Sequence, residues 1–108
     1  MKQSVDIGLD DRVIERIQDV FRRHEAIERV ILYGSRAKGS WKPGSDIDIT
    51  LMGSSLNADV LNAVYNELDD LNLPWTFNIS LFSSIENENL VAHIERVGLP
   101  LYEAVLHE

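Results

Sequence analysis

The 108 residues suffice for one modest hydrophobic core, so residues 1–108 are expected to form a single domain. The chain has no cysteine, which excludes disulfides and thiolate metal sites and is typical of the reducing cytoplasm. A net charge of −8 at pH 7 argues against long DNA or RNA as the main partner, because proteins that bind them present a basic surface. No apolar run approaches the roughly 20 residues that span a membrane, so we expect a cytoplasmic protein without a membrane partner.

Hydrophobic spacing predicts the secondary structure. Apolar residues three and four apart predict helices from Asp10-Asp11 to about His24, from about Asn57 to Leu71 and from Glu86 to Val97. Apolar runs and period-two alternation predict strands at about residues 29–33, 46–52 and 75–82. Residues 1–9 are expected to be a loose lead-in with Val5 and Ile7 packing locally, and residues 99–102 to pack back on the body. This order predicts an α/β (α+β) fold, with helices packed on a small mixed β-sheet of three or more strands.

Two carboxylates lie close together in the second predicted strand. Asp46 and Asp48 belong to a segment in which polar and apolar residues alternate, so both side chains point to one face. Their backbone positions are roughly 6.6 Å apart, and their oxygens can converge on one hard cation or on two. Like charges so placed repel each other, which a polyvalent cation relieves. The pair is therefore a candidate site for one or two hard cations.

A turn follows the first predicted strand at Gly34-Ser35. Glycine allows the backbone to turn sharply and to approach a ligand closely. Ser35 is expected to head a short helix that begins at Arg36, presenting its hydroxyl and free amides to an anion. Arg36 and Lys38 add positive charge. A phosphate-binding turn beside a pair of metal-binding acids is what a nucleotide site requires.

These residues together carry a family resemblance. Gly34-Ser35, ten residues and then Asp46-x-Asp48 resembles the signature of the DNA polymerase beta-type nucleotidyltransferase superfamily. The fuller pattern resembles its minimal branch, the MNT domains of prokaryotic toxin–antitoxin pairs: Gly34-Ser35-Arg36-Ala37-x-Gly39-x5-Ser45-Asp46-x-Asp48. The resemblance implies a nucleotidyltransferase fold in which Asp46 and Asp48 are catalytic and bind Mg²⁺ or Mn²⁺. It implies nucleotide binding by Gly34, Ser35, Arg36, Lys38 and Ser45.

The resemblance also implies a reaction and a partner. The enzyme would transfer a nucleoside monophosphate, AMP from ATP, to a hydroxyl acceptor and release pyrophosphate. The acceptor would be a tyrosine of a helical HEPN-type ribonuclease toxin encoded alongside, so that the protein acts as an antitoxin. The acceptor surface is expected to come from this partner or from a second subunit, which leaves a homodimer and a heterocomplex both open.

One position departs from the family pattern. The superfamily usually has a third carboxylate on the strand after the second helix, and Asn78 occupies this catalytic position here. Asparagine retains a carbonyl oxygen for a hard cation but cannot take up a proton, and losing a general base typically costs about 10²–10⁴-fold in rate. The alternative is therefore a catalytically weakened or inactive antitoxin that neutralises its toxin by binding. Asn78 and the acidic charge favour this alternative, whereas the intact Gly34-Ser35 and Asp46-x-Asp48 favour the enzyme.

Other polar and aromatic residues have simpler interpretations. His24 is expected to be a cation at the C-terminal end of the first helix rather than a functional base. Tyr33 and Trp75 are expected to pack in the core, while Trp41, in a polar loop, is the better candidate for stacking on a base.

Overall fold

The computed structural model describes residues 6–105, which form four strands and four α-helices. The helices are α1 (Asp11–Arg22), α2 (Gly34–Lys38), α3 (Ala58–Asp69) and α4 (Glu88–Val97), and a 3-10 turn covers Phe82–Ser84. The strands are β1 (Arg29–Tyr33), β2 (Ile47–Met52), β3 (Phe77–Leu81) and β4 (Leu99–Glu103). Within residues 6–105, none of the helices combines the length and the apolar character needed to cross a bilayer.

The strands form one mixed sheet in the order β3-β2-β1-β4. Strand β1 is antiparallel to both β2 and β4, whereas β2 and β3 are parallel. In this register Tyr33 lies opposite Asp48, and Asp48 lies level with Asn78. The end of β1 therefore meets the beginnings of β2 and β3 at one edge of the sheet. The prediction of a small mixed sheet covered by helices is confirmed.

Helices α1 and α3 cover one face of the sheet because each has a stripe of apolar residues. Each is capped by a side chain: Asp10 accepts a hydrogen bond from the amide of Val13, and Asn57 does so from Val60. The stripes pack with alternate residues of β1 and β2 into one core, whose fully buried members include Ile17, Val20, Phe21, Val30, Leu32, Ile47, Ile49, Leu51, Val64 and Leu68. Because side chains alternate along β2, Asp48 and Thr50 point to the opposite face.

Three details differ from the sequence prediction. Residues 99–103 form a fourth strand, β4, which pairs with β1 and is an edge strand of the sheet. The lead-in is not loose where it is described, since Ile7 and Leu9 are buried in the core, while Val5 lies outside the described residues. The third strand begins at Phe77 rather than at Trp75, and its neighbour β2 begins one residue after Asp46.

Candidate active site

Three of the predicted site residues meet at the end of the sheet where β2 and β3 begin. The Asn78 side-chain nitrogen donates hydrogen bonds to Asp46 Oδ2 at 3.2 Å and to Asp48 Oδ1 at 2.8 Å. One amide group is therefore in contact with both carboxylates. Asp46 and Asn78 are exposed and Asp48 is half-buried, so the cluster opens to solvent.

The parallel pairing of β2 and β3 creates this arrangement. Asp48 and Asn78 are direct partners across the two strands, and the pairing begins with a 2.9 Å hydrogen bond from the Ile47 amide to the Thr76 carbonyl. Level residues on adjacent parallel strands point to the same face of the sheet. Asp46 lies two residues before Asp48 and therefore joins this polar face.

The donor set suits a hard divalent cation but is sparse. Carboxylate and amide oxygens are ligands that Mg²⁺ accepts, and Mg²⁺ usually retains several waters. Among the described residues, however, no group of three or more histidine, cysteine, aspartate or glutamate side chains is placed to hold a metal ion. In this structure the Asn78 amide hydrogens occupy the space between Asp46 and Asp48. They offset the repulsion between the two charges as a cation would, although more weakly.

Gly34 allows the turn after β1 to lie against Asp48. Its φ of 76° is in the left-handed region that favours glycine. A Cβ atom at this position would overlap Asp48 Oδ2. The glycine predicted from the sequence thus permits a close approach, and the group it approaches is one of the two carboxylates.

The other predicted phosphate-binding residues surround this turn. Helix α2 begins at Gly34 with Tyr33 as its N-cap, so the prediction that Ser35 caps the helix is wrong. Ser35 lies in the first turn of α2 and is half-buried, whereas Lys38 is exposed at its end. Ser45 closes the turn before Asp46, because its hydroxyl accepts a 2.8 Å hydrogen bond from the Lys42 amide. Nucleotide binding by these residues stays a prediction.

Arg36 is buried, with an exposed fraction of 1%, and its donors bind backbone carbonyls. Its Nε and Nη2 atoms donate hydrogen bonds to the backbone carbonyl oxygen of Ser45, at 3.2 and 2.8 Å. Its Nη1 atom donates to the carbonyl oxygen of Ile7 at 2.9 Å. Burial lowers the pKa of Arg36, while the negative charge of Asp46 acts in the opposite direction. Arg36 therefore connects Ile7 to Ser45, the residue directly before Asp46.

Two tryptophans enclose the Arg36 guanidinium. Its central carbon lies 5.7 Å from the ring centre of Trp41 and 5.4 Å from that of Trp75. The Trp41 indole nitrogen donates to the Asp6 carbonyl at 2.7 Å, and that of Trp75 donates to the Pro43 carbonyl at 2.9 Å. Trp41, predicted as a base-stacking residue, thus packs on Arg36 and is hydrogen-bonded to Asp6.

A row of hydroxyl groups continues the polar face behind the carboxylates. The Ser80 hydroxyl donates to the Thr50 hydroxyl at 3.0 Å, and Thr50 is fully buried. Tyr33 is half-buried beside them. Burial raises the pKa of Tyr33 above its usual value, a hydrogen bond with Ser80 lowers it, and the charge of Asp48 raises it further.

His93 is the site residue that the sequence analysis missed. Its Nε2 atom accepts a hydrogen bond of 3.2 Å from the Gly34 amide. The available signal was a polar residue on the otherwise apolar side of α4, three residues after Leu90 and four before Val97. His24, in contrast, lies away from this cluster, where its Nε2 atom is 3.0 Å from Glu67 Oε1 on α3.

Comparison with known proteins gives a family and several structures of similar fold. A family model described as "Polymerase beta, Nucleotidyltransferase" matches residues 15–105. Among curated proteins nothing matches significantly.

The similar solved structures include several of toxin–antitoxin systems. A toxin–antitoxin with AMP-PNP is 19% identical with a TM-score of 0.64, and the match covers 84% of this chain and 73% of that chain. A tri-AMPylated Shewanella oneidensis HEPN toxin in complex with MNT antitoxin is 16% identical with a TM-score of 0.61, covering 89% and 74%. A mutant MntA-HpeT toxin–antitoxin is 15% identical with a TM-score of 0.66, covering 84% and 73%. At these identities the likeness shows a shared fold.

Proposed function

Because the chain belongs to the polymerase beta-type nucleotidyltransferase family, we propose that it transfers a nucleoside monophosphate from an NTP to a hydroxyl acceptor. The observation that carries this proposal is the convergence of Asp46, Asp48 and Asn78 on one point. This point lies beside the Gly34 turn, at the edge of the sheet where three strand ends meet. Two carboxylates next to a glycine turn can hold the phosphates of a nucleotide together with their cation.

Each residue has a part in the proposed reaction. Asp46 and Asp48 would hold Mg²⁺ or Mn²⁺, and the bound cation would neutralise phosphate charge. Ser35 and Lys38 would contact the β- and γ-phosphates. The acceptor oxygen attacks the α-phosphorus, the bond from that phosphorus to the bridging oxygen breaks, and pyrophosphate leaves. Arg36, together with Ser45, would act by fixing the loop before Asp46, since its donors already bind carbonyls.

Asn78 determines where the acceptor's proton goes. Its amide cannot take up the hydroxyl proton, so in our proposal the proton passes to water at this exposed edge. A missing general base typically slows such a step by about 10²–10⁴-fold, whereas positioning and electrostatics still contribute. We therefore expect slow transfer.

We propose ATP as the donor and a tyrosine of a helical HEPN-type toxin as the acceptor. The support is that similar folds occur in a toxin–antitoxin with AMP-PNP and in a complex of MNT antitoxin with a tri-AMPylated HEPN toxin. The net charge of −8 would complement a basic surface on such a toxin. Modification of the toxin would make this protein its antitoxin.

A second candidate is an antitoxin that acts by binding alone. The observation in its favour is the Asn78 amide nitrogen, which donates hydrogen bonds to both Asp46 and Asp48. In this case the acidic surface would mask the toxin, and the nucleotide fold would serve as a scaffold.

The two candidates are separated by measuring label transfer and toxin inhibition together. The protein is incubated with Mg²⁺, ATP labelled in its adenosine and the proposed partner, a HEPN-type ribonuclease toxin. We expect label on the toxin with wild type, none with Asp48→Ala, and wild-type transfer with Asp59→Ala, an exposed acid in the first turn of α3. A wild-type protein that inhibits the toxin's ribonuclease activity without labelling it would establish the binding antitoxin instead.

A further inference from the structure

His93 links the last helix of the described chain to the turn after β1. It lies in α4, is half-buried, and is separated from Gly34 by 59 positions in the sequence. Its Nε2 atom and the Gly34 amide nitrogen are 3.2 Å apart. Gly34 is the first residue of α2, and the first amides of a helix have no acceptor within it. His93 supplies that acceptor.

The contact requires one protonation state of the imidazole. A backbone amide only donates, so Nε2 must carry a free lone pair and the proton of the neutral ring is on Nδ1. The Tyr33 ring packs on the imidazole edge to face, with ring centres 6.1 Å apart and an angle of 83°. Tyr33 therefore helps to orient His93 toward Gly34.

Gly34 lies between His93 and Asp48. Its amide nitrogen is bonded to His93, and its adjacent α-carbon is packed so closely on Asp48 that a Cβ would overlap Oδ2. A displacement of this residue would move the surface against which the Asp48 carboxylate rests. Glycine has no side chain to restrict its backbone rotation, so the left-handed conformation of Gly34, with a φ of 76°, depends on contacts with its neighbours.

We propose that His93 is a positioning residue of the nucleotidyl-transfer site, which fixes Gly34 by a hydrogen bond and, through Gly34, the Asp48 carboxylate. This inference rests on the proposed function. His93 does not contact the reacting atoms; its effect is to keep the turn and the carboxylate in the geometry that transfer requires.

The hydrogen bond can be separated from the packing of the imidazole by paired substitutions. In His93→Gln the side-chain oxygen reaches about as far as Nε2 and can accept from Gly34, whereas His93→Leu retains volume without an acceptor. We expect His93→Leu to lower kcat by about 10–100-fold with little change in KM for the nucleotide, because a displaced reacting group affects the transition state. His93→Gln should remain within a few-fold of wild type. His24→Leu, the same change at the Glu67 pair, is the control and should leave kcat unchanged.

Equal kcat values for His93→Leu and wild type would overturn the proposal, and so would equal losses in His93→Leu and His93→Gln. A readout without turnover separates this inference from the proposed function. In ¹⁵N and ¹³C NMR spectra of wild type, we expect the proton on Nδ1 of His93. The Gly34 amide and the Asp48 carboxyl carbon should shift in His93→Leu and much less in His93→Gln.

A wild-type ring with its proton on Nε2, or an Asp48 carbon unchanged in His93→Leu, would refute the role of His93 even if transfer occurs. Absence of transfer in wild type, with the expected spectra, would refute the transferase function and leave the positioning contact standing. Should His93→Leu fail to fold, the wild-type tautomer and the activity of His93→Gln still decide the question.

Discussion

Asn78→Asp tests the account of the site through stability, independently of any acceptor. The substitution replaces an amide that donates to Asp46 and Asp48 with a third carboxylate in the same place. Both hydrogen bonds become contacts between negative charges at pH 8. The folded state should therefore lose stability in the absence of a divalent cation and recover it when one is bound.

The magnitude follows from the two contact distances, 3.2 and 2.8 Å. Two unit charges about 3 Å apart repel by about 1.4 kcal/mol in water, and the two contacts together by about 3 kcal/mol. Side-chain rearrangement and salt reduce this repulsion because the cluster is open to solvent. We expect Asn78→Asp to lower the free energy of unfolding by about 1–3 kcal/mol, which lowers Tm by at least about 4 °C for a domain of this size.

The assay is thermal unfolding at pH 8, with EDTA and with Mg²⁺. Asn62→Asp, the same charge change at an exposed position of α3, is the matched control and should show neither effect. Mg²⁺ should raise the Tm of Asn78→Asp more than that of wild type, since three carboxylates bind the cation more tightly than two. An Asn78→Asp protein as stable as wild type in EDTA, with no added response to Mg²⁺, would refute this account of Asn78.

Three further substitutions test the parts around this cluster. Gly34→Ala should destabilise the fold by at least about 1–2 kcal/mol, because the backbone of alanine is strained at φ 76° and its Cβ overlaps Asp48. Chemical denaturation measures this loss, and the transfer assay should show that label transfer is abolished. Arg36→Lys should lower the free energy of unfolding, measured with denaturant, by about 2–3 kcal/mol, because an ammonium group cannot reproduce the two guanidinium hydrogen bonds to the Ser45 carbonyl. Unchanged stability would contradict a role of Arg36 in fixing Ser45. The raised pKa of Tyr33 contributes stability that is fully present below about pH 10 and is lost above it as the unfolded state ionises first. Unfolding at pH 9 and pH 11 should show a smaller loss in Tyr33→Phe than in wild type, and equal losses would contradict the burial of that hydroxyl.

The sequence was most informative where a local pattern determines which way side chains point. The alternation around Asp46 and Asp48 predicted a strand with both carboxylates on one face, and β2 places Asp48 on the polar face with Asp46 two residues before it. The glycine at position 34 was recognised because a turn with a close approach needs one. Asn78 was identified through the family pattern, and parallel pairing with β2 brings it level with Asp48.

Contacts between distant segments could not be predicted from the same patterns. The charge of Arg36 suggested a phosphate ligand, but its burial depends on Ile7 and on two tryptophans that fold over it. Strand β4 contains Pro100 and follows α4 directly, so its pairing with β1 is decided by tertiary packing rather than by alternation. The bond from Gly34 to His93 spans 59 positions and has no signature besides a polar residue on an apolar helix face.

The central claim, nucleotidyl transfer at the Asp46–Asp48–Asn78 cluster, is tested most directly by asking which phosphorus of ATP reaches the acceptor. The protein and the proposed partner, a HEPN-type toxin, are incubated with Mg²⁺ and ATP labelled at either the α- or the γ-phosphate. We predict label on the toxin from the α-phosphate only, with loss of this label in Asp48→Ala. Label from the γ-phosphate, or equal α-label with wild type and Asp48→Ala, would contradict the account.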